Sequence, residues 1–450
     1  MRYCHSFERE TRAVICAVKQ KEEGLSQRYF SPSIDKMLCI IGALAFIIAG
    51  LSACGSSTSS TSSSASTPPP IHAGPITIGA SLPLTGDLSA DGQATQQGYE
   101  LWVDNINKSG GLLGHQVQLD ILNDATKLNQ TTTNYQTLIT VHHDDLVVGP
   151  FADDFTLAAA RVAARHGYAL VDGSGVAPVV FQAHMHNLFS VSLAAQNTLS
   201  SFATYLLSLP ASTRPTTAVY ATEQDPYLQP IVETAKGLLE KGGIRTAIDE
   251  ITYPSEVTDW NPIADKIIGA NPDVVVLGTA TNDAVAFVQR FKQQHFNPKV
   301  LLEVSGPDQG SQFTNPIGGT KVAEGIFVPN GGWFPGLSTF QNQQFQQQYI
   351  AKYGGTADGI SGDAVQAYSV LQVLKQAIEK AHSIDNARLI QVLRSDTFQS
   401  VQGPVKFNSD GENTLASAYL FQWQKGNLLP VYPPTNAQGT PEFPKPIWPA

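Results

Sequence analysis

The chain of 450 residues has only four cysteines, and none lies beyond position 54: they are Cys4, Cys16, Cys39 and Cys54. The remainder can therefore form no disulfide bond and no thiolate metal site. Basic residues are scarce as well. The first 53 residues hold seven Lys and Arg and five Asp and Glu, which leaves 21 basic against 33 acidic residues. Such a chain lacks the basic face that binds phosphates, so we expect no nucleic-acid partner.

The signature motifs of common enzymes are absent too. There is no Gly-x-Ser-x-Gly, no P-loop, no His-Glu-x-x-His, and no Gly-x-Gly-x-x-Gly after the first apolar run. The run "HHDD" at 142–145 lies between a predicted helix and strand, so we interpret it as a solvated loop. His184 and His186 share a face only in an extended segment, and no third ligand is near. We expect no metal, no cofactor and no catalytic residue.

An apolar run, "MLCIIGALAFIIAGLSAC", spans Met37 to Cys54. It is short and ends in small residues, which is typical of a secretory signal rather than of a stable membrane span. The ending "LSAC" matches the bacterial lipobox, in which the cysteine is lipidated and becomes the first residue. We therefore predict residues 1–53 as a signal region and Cys54 as the lipidated residue, with a membrane helix as the alternative. Residues 1–24 are interpreted as a mis-annotated start.

A segment without charge follows the cysteine. Its sequence, "GSSTSSTSSSASTPPP", is too poor in apolar residues to fold. Together with Cys54 it predicts a flexible tether over residues 54–71. A lipid, a tether and a folded domain indicate a protein on the outer face of the bacterial cell membrane.

Short apolar runs alternate with helix-length segments from Ile76 onward. The runs are ITIGASL, HQVQLDIL, DLVVGP, YALVDG, TTAVYAT, DVVVLGT and KVLLEVSG. Near-continuous Val, Ile and Leu predict parallel strands covered on both faces. In "QGYELWVDNINKSGG" the stripe Tyr99, Val103 and Ile106 predicts a helix, which Gly110 and Gly111 end. The fold class is therefore α/β, with doubly wound parallel sheets.

Roughly 380 residues are too many for one such sheet, so we predict two lobes joined by a multi-crossover hinge. The predicted boundaries are 72–195 for lobe 1, 196–328 for lobe 2, 329–402 for a return to lobe 1, and 403–450 for hinge-crossing hairpins and tail. The hairpin signals are Asp410-Gly411 and Lys425-Gly426-Asn427. In parallel sheets ligands bind beyond the carboxyl ends of the strands, so the site is expected where two such edges meet.

The segment "IGASLPLTGDLSADGQATQQGYELWVDNINKSGGLLGHQVQLDILND" resembles the opening of type I solute-binding proteins of ABC transporters, specifically the branched-chain amino-acid-binding group. Further landmarks follow in the family's order: DLVVGP, YALVDGSGVAP, VVVLGT, VSGPDQG, AYSVLQVLKQAI and VQGPVKFNSDGEN. The resemblance covers about residues 76–430. It implies two α/β lobes, three crossovers, a ligand in the cleft and a membrane permease as the partner.

The resemblance also implies site residues. In amino-acid-binding relatives, small hydroxyl residues after "GP" and a small residue and a threonine after the next strand hold the carboxylate and ammonium of the ligand. Asp153 stands at the first hydroxyl position, Ser174 at the small residue and Val176 at the threonine, with Gly175 between them. Asp308 stands at the acid that meets the ammonium.

Further candidates come from the other strand ends. Asp91 replaces an aromatic that often lines the cleft after the first strand, and Tyr227 or Asp225 occupies the matching place in the second lobe. Asp154 and Thr279 complete the predicted ligand-binding set.

Two interpretations of "ADDFT" remain open. Asp153 or Asp154 is expected to cap the helix that follows, where a carboxylate accepts free N–H groups. Such a carboxylate also repels an anionic ligand, by about 1 kcal/mol at ~4 Å in water and by more in a closed cleft. We therefore expect a cationic or donor-rich neutral ligand rather than an ordinary neutral amino acid.

The sequence predicts a lipid-anchored, monomeric substrate-binding protein that captures a small polar solute, amino acid or amine/amide-like, and is not an enzyme. One alternative is a ligand-sensing lipoprotein that signals to a membrane receptor. A secreted hydrolase using Ser174 is a weaker alternative, because no motif places a histidine or an acid to activate that serine.

Overall fold

The computed structural model describes residues 74–225 and 227–449, so the predicted signal region and tether lie outside the described residues. The first lobe has a sheet of five parallel strands in the order β2-β1-β3-β4-β5. They are β1 (Ile76–Leu82), β2 (Val117–Asn123), β3 (Leu146–Val148), β4 (Leu170–Asp172) and β5 (Leu188–Ser190). The connecting helices are α1 (Ser89–Lys108), α2 (Leu128–Thr137, continued by a π-helical turn over Leu138–His142), α3 (Asp153–Arg165) and α4 (Pro178–Gln182).

The second lobe is built on a larger, mixed sheet. Its parallel strands are β6 (Thr217–Glu223), β7 (Arg245–Thr246), β8 (Ile251–Tyr253), β9 (Val274–Gly278), β10 (Val300–Glu303) and β11 (Phe327–Asn330). The helices are α5 (Ser200–Ser208), α6 (Leu228–Lys241), α7 (Asn261–Ala270), α8 (Thr281–Gln293), α9 (Ser311–Ile317) and α10 (Thr320–Ala323). The central order is β11-β10-β9-β6, with β7 and β8 on the other side of β6, so the chain reverses its direction across the sheet at β6, as in a doubly wound fold.

The last quarter of the chain serves both lobes. The helices α11 (Asn342–Tyr353), α12 (Gly362–Ala381) and α13 (Asn386–Ser395) return to the core of the first sheet, where α12 packs along α1. A two-stranded ribbon follows, β12 (Phe398–Ser400) with β13 (Gly403–Val405). The hairpin β14 (Tyr419–Gln424) and β15 (Asn427–Tyr432) then adds antiparallel strands to β11 of the second sheet.

The chain passes between the lobes three times. The first passage follows β5 and contains a 3-10 turn over Ala195–Asn197; the second lies between β11 and α11; the third lies between β13 and β14. Short 3-10 turns also occur at Ala357–Gly359 and Pro434–Asn436. The predicted α/β class with two sheet-based lobes and a multi-crossover hinge is confirmed. The numbered domain boundaries stay a prediction.

The local sequence accounts for these elements. All five residues of β9, "VVVLG", are buried, because helices cover both faces of the second sheet. Helix α1 buries Tyr99, Trp102 and Ile106, and it ends where Gly110 and Gly111 take φ values of +100° and +84°. The predicted hairpin at Lys425-Gly426 is confirmed, since both residues adopt positive φ between β14 and β15.

Glu303, at the end of β10, is buried with an acidic neighbour. Its side chain is 0% exposed, and neither carboxylate oxygen has a hydrogen-bond partner among the described residues. Burial raises the pKa of Glu303 well above its usual value, and nearby Asp283 raises it further. The hydroxyl of Tyr253 donates to Asp283, whose pKa is raised by burial to about 6. Burial in the second lobe therefore favours the protonated form of the Glu303 carboxyl.

We predict that Glu303→Gln stabilises the protein increasingly as the pH rises from 5 to 8. Because the pKa of Glu303 is raised in the folded protein, its contribution to the free energy of unfolding is complete below a pH of about 4.3, the pKa of glutamate in the unfolded chain. The contribution declines at higher pH, because only the unfolded chain then loses the proton. Gln removes that decline, so the difference grows by at most about 1.4 kcal/mol per pH unit. Thermal unfolding at several pH values measures it. Glu233→Gln, at an exposed position of α6, is the control; parallel curves for all three proteins would contradict the prediction.

Candidate functional site

The loops that follow the parallel strands form the candidate site. In the first lobe they follow β3 and β4, and in the second lobe they follow β6 and β10. Because all strands of a parallel sheet end at one edge, these loops collect there. The residues predicted to bind ligand lie in these loops, in the loop after β9 and in the first turn of α1.

Asp153, the first residue of α3, is bonded to the neighbouring loop rather than to its own helix. Its Oδ1 accepts the amide of Val176 at 2.7 Å and the amide of Ala177 at 2.8 Å. Helix α3 itself has no side-chain cap, since Ala152 occupies the N-cap and Asp154 is exposed. The expectation that Asp153 or Asp154 caps this helix is therefore wrong: the neighbouring loop offers two convergent donors.

A second carboxylate, that of Asp172, bonds to the same loop. Asp172, the last residue of β4, is 0% exposed and accepts the amide of Ser174 at 3.0 Å and the amide of Gly175. The hydroxyl of Thr156 donates to its other oxygen at 3.2 Å. Burial raises the pKa of Asp172 to about 7, against the effect of these hydrogen bonds. Four consecutive amides, 174–177, are thus bonded to two aspartates.

The hydroxyl groups of Ser174 and Thr279 are bonded within the protein. Ser174 Oγ accepts the amide of Ala152 at 3.0 Å and donates to the carbonyl of Pro150 at 3.1 Å, which ties the loops after β3 and β4 together. Thr279 is 0% exposed and donates to the carbonyl of Ser305 at 3.0 Å. Ser174 is not held by a histidine, so its contacts do not support the hydrolase alternative.

Tyr227 extends from the second lobe toward the first. Asp225 accepts the amides of Tyr227 and Leu228 at 2.8 and 2.9 Å, and so bonds to the backbone at the start of helix α6. The ring of Tyr227 is 45% exposed, yet desolvation by surrounding protein raises its pKa, and a side-chain hydrogen bond with Thr198 opposes the rise. The sequence left open whether Tyr227 or Asp225 occupies the matching place in the second lobe. Asp225 stabilises the start of the helix, whereas Tyr227 leaves its side chain partly exposed for a ligand.

The charged groups that act on the Tyr227 hydroxyl come from both lobes. Asp153 of the first lobe and Asp225 and Asp308 of the second each raise its pKa. Asp308 is exposed; it accepts the amide of Gly306 at 2.9 Å and the side-chain amide of Gln309 at 2.8 Å. The two sets of strand ends therefore face one another, with acidic groups on both sides.

Asp91 has a different neighbour. It lies in the first turn of α1 and raises the pKa of Asp363, at the start of α12. Asp172 and Thr198 were missed at the sequence level. The signal available for Asp172 was an aspartate at the end of the apolar run "YALVD". No local signal in the sequence identified Thr198.

Two histidines of the histidine-containing segments lie within hydrogen-bond distance of aspartates. His142 Nδ1 lies 2.5 Å from Asp120, and His184 Nδ1 lies 2.8 Å from Asp410. Asp144 is 2% exposed and burial raises its pKa to about 6, so the interpretation of 142–145 as a fully solvated loop is wrong at that residue. Among the residues that the structure describes, no group of three or more His, Cys, Asp or Glu could hold a metal ion.

One cavity lies away from these loops. It has a volume of about 580 Å³ between α5 and the C-terminal hairpin, with Tyr205 and Tyr432 in its wall, and shares no residue with the facing strand ends. Within residues 74–225 and 227–449, no helix is both long and apolar enough to span a bilayer.

Two sheet-based lobes, three connections and facing strand ends define a two-lobed solute-binding protein. The model of the family described as "Periplasmic binding protein" matches residues 75–427, and the chain belongs to this family. The resemblance to its branched-chain amino-acid-binding group is confirmed. Family membership shows a solute-binding protein rather than an enzyme, and an extracytoplasmic one.

Named relatives share most of their length with the chain. The "Leu/Ile/Val-binding protein homolog 7" of Brucella melitensis is 23% identical over 373 residues, which cover 80% of this chain and 91% of the relative. A solved protein of Silicibacter pomeroyi, assigned to a branched-chain amino acid ABC transporter, aligns with a TM-score of 0.72 at 20% identity, over 82% of this chain and 99% of that one. The substrate-binding protein LivJ of Streptococcus pneumoniae, in complex with isoleucine, aligns with a TM-score of 0.60 at 20% identity, over 79% and 97%.

We predict that Gly175→Ala destabilises the protein by about 1–3 kcal/mol, because the loop is already closely packed. A Cβ there would lie 2.6 Å from Thr156 Cγ2 and 2.8 Å from Asp172 Oδ2. Thermal unfolding measures the loss. Gly237→Ala, in α6 with nothing within 4 Å of the added Cβ, is the matched control and should gain up to about 1 kcal/mol. Equal effects of the two substitutions would show that the loop is not constrained.

Proposed function

We propose that the protein is the substrate-binding component of an ABC importer, which captures a small polar solute by closure of its two lobes and presents it to a membrane permease. The observation that carries this proposal is the match of residues 75–427 to the periplasmic binding protein family. Tyr227 of the second lobe and Asp153 of the first support it, because Asp153 lies near enough to raise the pKa of the Tyr227 hydroxyl. A solute between them contacts both lobes and so stabilises the closed arrangement by its differential affinity.

The proposed binding set is Asp91, Asp153, Asp154, Ser174, Gly175, Val176, Tyr227, Thr279 and Asp308. Within it, Asp153 and Asp308 both raise the pKa of the Tyr227 hydroxyl, and Asp153 does so from the other lobe. The loop that contains Ser174, Gly175 and Val176 supports the position of Asp153. The amide of Val176 donates to Asp153, the amide of Gly175 donates to Asp172, and the hydroxyl of Ser174 accepts the amide of Ala152. The relative solved with isoleucine supports a solute of amino-acid size.

The proposal includes attachment to the membrane. Cys54 would carry the lipid, the tether would span the distance to the folded lobes, and the protein would act as a monomer on the outer face of the cell membrane. The order of apolar run, small residues and cysteine in "LAFIIAGLSAC" supports this arrangement.

The test of solute capture is a thermal-shift screen of residues 72–450 against amino acids, amines, amides and sugars. A ligand at 100 times its Kd adds about 2.7 kcal/mol, which shifts Tm by several degrees. Residues beyond 54 contain no cysteine, so introduced thiols can be labelled specifically. With fluorophores at Asp87→Cys and Glu256→Cys, one exposed position in each lobe, the ligand found in the screen should shorten the distance between the labels.

The control for closure is a label pair within one lobe, Asp87→Cys with Lys108→Cys, whose separation should not change. Binding that leaves both label distances unchanged would contradict capture by closure. A screen without any stabilising solute would contradict solute capture itself.

We predict that Cys54→Ser releases the protein from the membrane fraction, because the thiol that accepts the lipid is lost. Detergent phase partition and the mass of the N-terminal peptide measure the change. Cys39→Ser alters the same apolar run and should remain membrane-bound and lipidated. If both variants partition like the wild type, the chain is held by an uncleaved helix instead.

A further inference from the structure

Four consecutive amides of the loop after β4, those of residues 174–177, are not free to bind a solute. All four N–H groups donate to carboxylates of the chain itself. Successive backbone amides that converge in this way form a site for an anion. Here Asp153 supplies that anion from the opening of α3, so the position that a carboxylate of a ligand could take is already filled.

The backbone holds Asp153 in this position. Ala152, just before it, has φ 76° and ψ 155°, a region that only glycine adopts without strain. Such strain persists where surrounding contacts fix it, and here the amide of Ala152 donates to Ser174 Oγ at 3.0 Å. Both loop amides bond to Oδ1 of Asp153, so Oδ2 keeps acceptor capacity for a donor outside the loop.

The charges around this position have one sign. Asp154 raises the pKa of Asp153, and Asp225 and Asp308 of the second lobe, together with Asp153, raise the pKa of Tyr227. In the part of the chain that the structure describes, none of these four aspartates forms an ion pair with Lys or Arg. Closing the lobes brings like charges together, which a positive group between them would offset.

We propose that the solute of this cleft is an organic cation without a free carboxylate, such as a primary amine, a guanidine or an amino-acid amide. Its positive group lies between Asp153 Oδ2, the Tyr227 hydroxyl and Asp308. The carboxylate of Asp153 takes the place that a carboxylate on the solute would otherwise occupy. The inference rests on the proposed function and specifies the class of solute.

The first test compares pairs of compounds that differ only at the carboxylate: leucine with leucinamide and 3-methylbutylamine, and arginine with agmatine. Isothermal titration of the wild-type protein measures Kd for each. We expect the member without a carboxylate to bind at least about tenfold more tightly in the best-bound set. A carboxylate member that binds equally or more tightly would overturn the inference.

The second test removes the internal carboxylate. Asp153→Ala frees the amides of Val176 and Ala177, so acetate at tens of millimolar should stabilise this variant thermally but not the wild type. The same substitution should weaken binding of the amine at least about tenfold. Asp154→Ala is the control for the acetate measurement alone, since Asp154 belongs to the proposed binding set but is adjacent, exposed and bonded to neither amide; it should show no acetate effect. If the alanine variant does not fold, Asp153→Asn, of similar size, replaces it in the amine-binding measurement; its amide oxygen can still accept both N–H groups, so it should not respond to acetate.

The outcomes separate the two levels of the proposal. Carboxylate solutes that bind the wild type and close the lobes would leave the proposed function intact and refute the cationic class. If no member of any set binds the wild type, the cationic class is refuted whatever acetate does, and solute capture then depends on the wider screen. An Asp153→Ala variant that responds to acetate no more than Asp154→Ala would refute the role assigned to Asp153.

Discussion

Strand direction is the constraint on which the site depends. In a parallel sheet all strands end at one edge, and the loops that follow them leave amides without sheet partners. Two such edges face each other in this protein because the chain passes between the lobes three times. The buried amides after β4 must be satisfied, and the chain meets this requirement with carboxylates rather than with hydroxyl groups or carbonyls.

This choice has an energetic consequence. A buried carboxylate is tolerated when several donors bond to it, and Asp172 receives two amides and one hydroxyl. Its raised pKa shows that burial still outweighs those donors. Asp153 lies closer to solvent and shares the same loop, so the two aspartates form one bonded unit in which a change at either carboxylate alters the loop.

The fold could be predicted from the sequence because its signals are long and repetitive. Strands such as β1 and β9 are near-continuous apolar runs, and α1 has a clear stripe and a double-glycine end. The short strands β5 and β7 carry no such period, since three and two residues are too few to show one. They form because neighbouring strands leave a pairing position open.

The site was only partly predictable for a related reason. The sequence places Asp153 at the start of a helix, where a carboxylate ordinarily caps the first-turn amides. Whether it bonds to those amides or to the amides of Val176 and Ala177 depends on the geometry of the loop after β4. Asp172 lies inside an apolar run, and only the folded loop shows what its carboxylate accepts. The approach of Tyr227 to Asp153 involves both lobes and has no local signal at all.

The placement of the last quarter of the chain governs the order of assembly. The first lobe needs α11 to α13 for its core, and the second sheet needs the hairpin β14–β15 for its edge. Neither lobe can be completed while these residues are still being synthesised, although domains generally fold as they emerge. The nascent chain therefore cannot bury the complete core of the first lobe or pair the edge of the second sheet until its last quarter is available.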